Sequence, residues 1–458
     1  MFNETSLILK MAIRVMLFGL VLFWSQVLYS QSPMAAFHYS NTDSIDDHSA
    51  PLAKNRAVTA EKGVVASWNI EIDPGLKLLD KGNIFTIPLP SGGSLQATVE
   101  ERNERNNGDI QIQANILGGG AATFTIGVNV TYASISSDSL RFSIGMDDDV
   151  DLSDDVMMPP DLLKQRLSTS TDQLRSFALP SNVTSGASNI DVLVVYNSEF
   201  ADVFSSPQTR INQLLAFSNT SFSNSGILIN LRLAAAVEVD FDNNNSVSTN
   251  LTNATNGTGS FANLAALRDQ HGADLVAVMS VNLVNQFSAN GIAWLNANND
   301  RFAFSATRLS ANCCDSVFTH EIGHNLGSGH EYTAVNPSLP TNNQCSGGFT
   351  GFSCGHGNST NNWGTIMSNY GISAKAAVNF VFSNLDAECV GSPCGVAQGS
   401  TNAADNRTSF NMTRLTVANF RDEVVTDVSI TPVTPPIPNN TELGWVSGII
   451  TLLLDGLE

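Results

Sequence analysis

Apolar and polar residues alternate in short runs through the first half of the chain. Between about residues 61 and 146, turn sequences such as Pro90-Ser91-Gly92-Gly93 separate these runs. Alternation with a period of two is typical of strands that bury one face. This part of the sequence therefore predicts an all-β domain. The clearest predicted strands are at 66–72, 84–89, 110–116, 122–130 and 140–144.

The pattern changes at Asn189, where strands and helices begin to alternate. Residues 190–196 form a nearly continuous apolar run, as expected of a strand buried on both faces. A helix is predicted after Pro207, further strands at 227–239 and 273–281, and a second helix at 261–271. The Asn-, Ser- and Thr-rich stretch 243–260 is expected to be a loop. Such alternation predicts an α/β (α+β) domain with a mixed, mostly parallel sheet.

The first 30 residues have the features of a secretory signal peptide. Lys10 and Arg14 provide a positive start, an apolar run covers 15–28, and Ser30 offers a small residue for cleavage. The apolar run is shorter than the roughly 20 residues of a membrane anchor. We therefore expect a secreted chain, extracellular or in transit through the periplasm, with no stable membrane anchor.

Charge narrows the choice of partner. The chain has 22 Lys and Arg against 42 Asp and Glu, a formal net charge of −20, which argues against a nucleic-acid partner. Seven aspartates lie between Asp147 and Asp161, and we interpret this stretch as a solvated linker. Calcium (Ca²⁺) is an alternative ligand there, although the stretch lacks the spaced ligands and glycine of an EF-hand loop.

Six cysteines, all in the second half of the chain, agree with an oxidising compartment. They are Cys313, Cys314, Cys345, Cys354, Cys389 and Cys394. Six cysteines allow 15 pairings, and only the bond between the adjacent Cys313 and Cys314 is excluded, because its small ring would strain the peptide. Their spacing lacks the paired units of a cysteine zinc site, so we expect disulfide bonds.

The segment from His320 to His330 carries the candidate chemistry. Residues four apart share a face of a helix, so His320 and His324 can present imidazoles to one metal ion. Glu321 lies next to the first of these ligands, where it can act as a general base on a metal-bound water. Gly327 is suited to a turn that ends the helix and returns His330 as a third ligand. Three histidines suit one catalytic Zn²⁺ and leave a fourth position for water.

Together with a second element at 364–368, this motif resembles the metzincin zinc metalloendopeptidases. Within them the chain is similar to the adamalysin- or reprolysin-like branch, which includes bacterial peptidyl-aspartate metalloendopeptidases. The resemblance extends over about 190–424. It rests on Ile190-Asp191-Val192-Leu193-Val194-Val195-Tyr196, Gly291-Ile292-Ala293-Trp294-Leu295, the His320–His330 motif, Thr365-Ile366-Met367-Ser368, Ala404-Asp405-Asn406 and Val417-Ala418-Asn419-Phe420-Arg421.

The resemblance implies a function and a domain order. Met367 would be the Met-turn residue, an apolar floor beneath the metal. The chain would comprise a signal peptide at 1–30, a propeptide at 31–188, a catalytic domain at 189–423 and a Pro-rich tail at 424–458. We expect a monomeric zymogen that hydrolyses protein or peptide substrates through a zinc-bound water activated by Glu321. The alternative is a secreted binding or adhesion protein that keeps this fold without turnover.

Two positions depart from the family pattern, and one concerns specificity. Glu331 stands where adamalysin-like enzymes usually have Asp, and Asn369 stands where other branches place a metal-reaching tyrosine. Tyr370 is therefore interpreted as a packed residue of the pocket wall. Lys375 is the only charged residue between 368 and 378, so it would favour acidic substrates if it pointed into the pocket. The alternative is a solvated surface lysine.

Overall fold

Two separate sheets account for most strands of this chain. The computed structural model describes residues 33–39, 58–59, 64–89, 92–137, 140–145, 186–281, 290–309, 315–331, 345, 351–358, 363–368, 377–378, 380–389, 391–424 and 446–454. Several predictions fall outside these residues: the signal peptide, the acidic stretch, Cys313, Cys314, Tyr370 and Lys375. They stay predictions.

The first sheet is built mainly by the segment in which the sequence predicts strands. Alternating apolar side chains point to one side, where Phe37, Phe85 and Phe124 are fully buried in a shared core. Its eleven strands are β1 (Met34–Ala35), β2 (Phe37–Tyr39), β3 (Val58–Thr59), β4 (Val64–Ile72), β5 (Ile84–Pro88), β6 (Ser94–Glu104), β7 (Ile110–Ile116), β8 (Gly120–Ile126), β9 (Thr131–Ser137), β10 (Leu140–Gly145) and β21 (Val446–Leu454).

This sheet returns on itself. Its strand order is β1-β5-β6-β7-β8-β9-β10-β21-β4-β2, with β3 beside β4. The two ends of that order, β1 and β2, are separated only by Ala36, whose N–H donates to the Thr86 carbonyl at 2.7 Å. The strand β21 comes from far along the sequence and lies between β10 and β4. We call strands β1–β10 of this closed sheet the β domain.

The second sheet is mixed, as predicted, and has the order β12-β11-β13-β15-β14. The apolar run of β11 is buried on both faces because helices cover both sides of the sheet. Pairings among β12, β11, β13 and β15 are parallel, while β14 is antiparallel to β15 and lies at the edge. Its strands are β11 (Ser188–Tyr196), β12 (Ile229–Glu238), β13 (Leu275–Val281), β14 (Gly291–Ala293) and β15 (Phe304–Leu309).

The remaining elements are helices and short strands. The helices are α1 (Ser198–Val203), α2 (Pro207–Asn224), α3 (Val247–Asn256), α4 (Leu264–Gln270), α5 (Asp315–Asn325) and α6 (Asn406–Val417), with 3-10 turns at Pro74–Leu78, Gly259–Phe261 and Asp300–Phe302. The short strands are β16 (Gly357–Asn358), β17 (Trp363–Gly364), β18 (Ala377–Val378), β19 (Glu388–Cys389) and β20 (Ser392–Pro393). Among the described residues, the helices are too short or too polar to cross a membrane.

The prediction of a loop at 243–260 was wrong, because α3 lies within this stretch. Ser246 caps the first turn by accepting a hydrogen bond from the Thr249 N–H at 3.0 Å. Gly257 ends the helix in the left-handed conformation, with φ of 61°. Between these caps, Val247 and Leu251 are buried one helical turn apart against the second sheet. The polar composition of the stretch concealed a short amphipathic helix with strong caps.

The β domain packs against α2, which covers one face of the second sheet. Every residue of β9 is buried. Ala133 and Ile135 belong to the core of the β domain, whereas Tyr132 belongs to the core that contains α2. Alternate residues of one strand therefore serve two cores. The two sheets are joined by a continuous buried interface.

Candidate metal centre

Helix α5 places His320 and His324 on one face, as their spacing predicts. Both imidazoles are fully buried, and their ring centroids lie 4.6 Å apart. The helix begins at Asp315 and is buried along its whole length. The backbone at its end is also fixed, because the Asn296 N–H donates to the His324 carbonyl at 3.0 Å. The first two predicted ligands are thus held on a rigid element.

The helix ends where the sequence predicts, and the turn brings His330 back. Gly327 has a φ of 98°, which a residue with a side chain rarely adopts. Its N–H donates to the His324 carbonyl at 2.9 Å, and the Ser328 N–H donates to the Gly323 carbonyl at 3.0 Å. This pair of bonds is the Schellman arrangement of helix ends. It turns the chain so that His330 approaches His320.

One ring nitrogen from each of His320, His324 and His330 lies within 4.8 Å of the other two. The Nε2 atoms of His320 and His330 are 3.1 Å apart. Two nitrogens bound at ~2.0–2.1 Å to one tetrahedral ion stand roughly 3.3 Å apart, so this spacing suits a shared zinc ion. Within the described residues, this is the only group of three or more such side chains that could hold a metal.

Backbone carbonyls orient two of the three rings. The Nδ1 atom of His320 lies 2.7 Å from the Ile366 carbonyl, and Nδ1 of His324 lies 2.7 Å from the Ser328 carbonyl. Each carbonyl can accept a proton from Nδ1, which leaves the lone pair of Nε2 for a metal. Such carbonyl contacts are typical of histidines that bind zinc. The donor set and its orientation therefore fit Zn²⁺.

Met367 lies directly beneath α5. A Cβ placed on Gly323 would come within 2.2 Å of the Met367 Sδ, so only glycine allows this approach. On its other side, a Cβ on Gly355 would lie 2.3 Å from the Met367 carbonyl oxygen. Met367 is fully buried in the core that also contains Phe318 and Ile322 of α5. Its position is that of an apolar support under the ligand helix.

Glu321 faces the edge strand β14. Its side chain is fully buried, and a Cβ on Gly291 would lie only 2.1 Å from Glu321 Oε1. Gly291 therefore leaves the space that the carboxylate occupies. The carboxylate lies between the ligand helix and the strand that ends the second sheet, which is a place where it could meet an extended ligand.

The segment that carries His330 is fixed by a disulfide bond. The Gly329 N–H donates to the Ser353 carbonyl at 2.8 Å, and the Gly355 N–H donates to the Gly329 carbonyl at 3.1 Å. Cys354, between those two partners, is bonded to Cys345. A second disulfide joins Cys389 and Cys394. The prediction of disulfides is thus supported for four of the six cysteines.

Two further residues of the site region have clear environments. Glu331, the departure after the third histidine, is buried. The His356 ring packs edge-on against Trp363, with centroids 5.2 Å apart. Burial lowers the pKa of His356, because the charged form would be poorly solvated there.

Some contacts that support the site were not identified from the sequence. Asn406, at the start of α6, has its side-chain amide 2.7 Å from the Ser328 hydroxyl, next to the turn after α5. Asp315 forms a buried ion pair with Arg210 of α2, at 2.6 Å between Oδ1 and Nη2. Its other carboxylate oxygen accepts a hydrogen bond from Ser134 of β9. The acidic first position of a helix was a usable signal for Asp315; its partners are too distant in sequence to be deduced.

Comparison with known proteins agrees with the fold and the site described above. Residues 186–418 match the model of the Reprolysin_5 family, metallo-peptidase family M12. The match covers half of the chain and includes the whole second sheet, α5 and all three histidines. The fold and site thus define a reprolysin-like metallopeptidase: the chain belongs to metallo-peptidase family M12. The family relationship predicted from the sequence is confirmed.

Two curated relatives carry the name peptidyl-Asp metalloendopeptidase. The protein from Pseudomonas aeruginosa is 26% identical over 314 residues, covering 62% of this chain and 50% of the relative. The protein from Stenotrophomonas maltophilia is 28% identical over 239 residues, covering 51% of this chain and 52% of the relative. The chain spans about half the length of these relatives. The crystal structure of metalloproteinase-II from Bacteroides fragilis is 8% identical, covers 60% of this chain and 88% of its own, and superposes with a TM-score of 0.38, too low to support a conclusion.

Proposed function

We propose that this chain is a zinc-dependent endopeptidase in which His320, His324 and His330 hold one Zn²⁺ and Glu321 is the general base. The observation that supports this most is the convergence of three imidazoles, with the carboxylate of Glu321 held on the same helix beside an edge strand. When bound, zinc supplies a Lewis acid that acidifies water and polarises a carbonyl group. Residues of the chain perform the other tasks.

Glu321 would move the proton. Its side chain adjoins His320 in sequence and is held between α5 and Gly291, so it can take a proton from the attacking water. It would then pass that proton to the amine of the leaving peptide. Burial of the carboxylate excludes bulk water from competing for the proton.

The edge strand β14 would position the substrate. β14 pairs with β15 along one side and ends the sheet order of the described strands. An extended peptide can add to such an edge through backbone hydrogen bonds. Gly291 of β14 faces Glu321, so a peptide on this strand would lie beside the proposed base.

For specificity, we propose a preference for an acidic residue after the scissile bond. The names of the two relatives support this, as does the lone positive charge of Lys375 after the Met-turn. A cleavage profile of peptides varied at that position, on wild type and on Lys375→Ala, tests it. The preference should be acidic in wild type and lost in the variant. An apolar preference unchanged by the substitution would reject the proposal and leave Lys375 a surface residue.

We further propose export and processing. The signal peptide at 1–30 would be removed first, and a cut between about 168 and 189 would separate the propeptide region from the catalytic domain at 189–423. N-terminal sequencing of the secreted protein tests this, since a start upstream of residue 63 would show that the β domain is not cut from the chain.

The decisive test of activity is digestion of casein with and without a zinc chelator. Hydrolysis that chelation abolishes and added zinc restores supports the endopeptidase. The alternative, a binding protein without turnover, would show no hydrolysis under either condition. An intact Glu321 already disfavours this alternative.

A further inference from the structure

We infer that the strand β21 fastens the β domain to the catalytic domain, so that the two remain associated when the chain between them is cut. Processing would then produce a two-fragment complex, with the N-terminal part retained as a bound subunit. The partner of the β domain in this complex is a segment of the same chain, 446–454, which follows the catalytic domain.

The pairing of β21 supports this inference directly. Nine consecutive residues of β21 are in antiparallel register with β4, from Val446 opposite Ile72 to Leu454 opposite Val64. On its other side, four residues of β21 are in antiparallel register with β10, from Ile449 to Leu452. The strand is therefore an internal member of the closed sheet.

Losing β21 would open the sheet at that point. Strands β4 and β10 would each expose a row of unpaired N–H and C=O groups. The β domain would thus keep its closed form only with a strand that stays covalently attached to the catalytic domain. A cut anywhere between 146 and 185 leaves this connection in place, because β21 lies beyond α6.

A second contact with the catalytic domain lies at the start of β7. Asp109, just before β7, accepts hydrogen bonds from the Thr209 hydroxyl at 3.1 Å and the Asn212 amide at 2.9 Å. The Gln111 amide donates to the Asn212 carbonyl at 2.6 Å. All four side chains are buried, and Thr209 and Asn212 lie on α2 of the catalytic domain. Release of the β domain would require breaking this polar interface as well as the nine register pairs of β21 with β4 and the four with β10.

Cysteine cross-linking tests the strand register in the full chain. All six native cysteines lie at 313 or later, so the β domain contributes none. Thr451 is in register with Ser67 of β4 and with Ser143 of β10. Paired residues of antiparallel strands are about 4.5–5.5 Å apart at Cα, within the range of a disulfide. The variant pairs are Ser67→Cys with Thr451→Cys, and Ser143→Cys with Thr451→Cys.

Each variant also receives an inserted recognition site for a specific protease between 146 and 185. After cutting, non-reducing denaturing electrophoresis should show the two fragments linked in both on-register pairs and separated by reduction. Two controls should give separate fragments: Ser67→Cys alone, and Ser67→Cys with Ser447→Cys, because Ser447 is in register with Glu71. Linkage in the controls to the same extent, or none in the on-register pairs, would overturn the proposal.

Retention is measured on the same cut chain without added cysteines. Gel filtration should show both fragments eluting together. A chain that stops after Trp445 should release its N-terminal fragment with a dissociation constant at least tenfold higher than a matched chain that stops after Leu454. The proposal would be rejected if the two fragments of the full-length protein separated after cleavage. Equal retention by the chain that stops after Trp445 and the chain that stops after Leu454 would also reject it. None of these readouts requires peptidase activity, so they stand apart from the test of the proposed function.

Discussion

The carboxylate of Asp315 lies 2.6 Å from the guanidinium of Arg210, and both side chains are almost completely buried. Asp315 is the first residue of α5, the helix that carries His320, Glu321 and His324. Arg210 is on α2, and Ser134 of the β domain donates to the second oxygen of Asp315. One buried charge thus joins the ligand helix to a neighbouring helix and to the β domain.

Removal of Asp315 should destabilise the protein strongly. Asp315→Ala breaks the buried ion pair with Arg210 by removing one of its charges, which typically costs about 3–5 kcal/mol. Urea unfolding should show this loss. Glu423→Ala is the matched control, because Glu423 pairs with Arg232 at 2.7 Å but is half exposed. We expect a change of about 0–1 kcal/mol there. Equal effects of the two substitutions would contradict a special role for the buried pair.

Gly291→Ala should impair catalysis while the metal stays bound. The new methyl group would meet Glu321 Oε1 and force the carboxylate to move by an ångström or more. A misplacement of about 1 Å can cost on the order of 10²-fold in rate. We expect a fall of that order in kcat, with zinc content unchanged. Gly186→Ala is the control, because nothing lies within 4 Å of a Cβ placed there.

If Gly291→Ala has the kcat of wild type, the packing of Glu321 against β14 does not matter for turnover. If the substitution lowers zinc content, its effect runs through the ligands instead. Either result would remove the positioning role assigned to Gly291.

Stability should depend on pH through Asp274. Burial raises its pKa to about 6, against an ordinary value of 3.8, although it accepts N–H groups of Asp191 and Arg421. The folded state therefore binds the proton more tightly than the unfolded state. The stability this group contributes is fully present below about pH 4 and is lost as pH rises through about 6.

Asp274→Asn cannot titrate, so it isolates this effect. We subtract the free energy of unfolding of the variant from that of wild type. This difference should decrease by on the order of 2 kcal/mol as the pH rises from 4 to 7. Urea titrations at several pH values give the difference. A difference that is constant with pH, or one that rises, would show that Asp274 does not carry a raised pKa.

The sequence was most informative where the determinants are local. The three histidines, Glu321 and Gly327 lie within 11 residues, and a helix followed by a left-handed glycine converts that spacing directly into geometry. The alternating helices and strands after Asn189 were likewise predictable, because each depends on its own hydrophobic period. In contrast, α3 was missed since its caps and its exposed face are made of the same polar residues as a loop.

Long-range pairing could not be predicted. Nothing in the composition of 446–454 indicates that it lies between β4 and β10, because a short apolar run fits many partners. The contact between Ser134 and Asp315 joins positions 181 residues apart. Such relations depend on how the two sheets dock, which only the assembled fold shows.

The central claim is that Glu321 acts as the base at a zinc site formed by His320, His324 and His330. Glu321→Gln preserves the size of the side chain but removes its ability to take a proton. Loss of a general base typically costs about 10²–10⁴-fold in rate. Glu423→Gln serves as the control, because Glu423 is far along the chain and half exposed. This substitution should leave zinc content and turnover unchanged.

The most direct measurement combines zinc content by atomic absorption with turnover of a quenched peptide, on the same preparation of Glu321→Gln. We predict one zinc ion per chain, as in wild type, together with a loss of at least 10²-fold in turnover. Full zinc occupancy with turnover like that of wild type would contradict the role of Glu321. A protein that hydrolyses the peptide equally well when stripped of zinc would contradict the metal site itself.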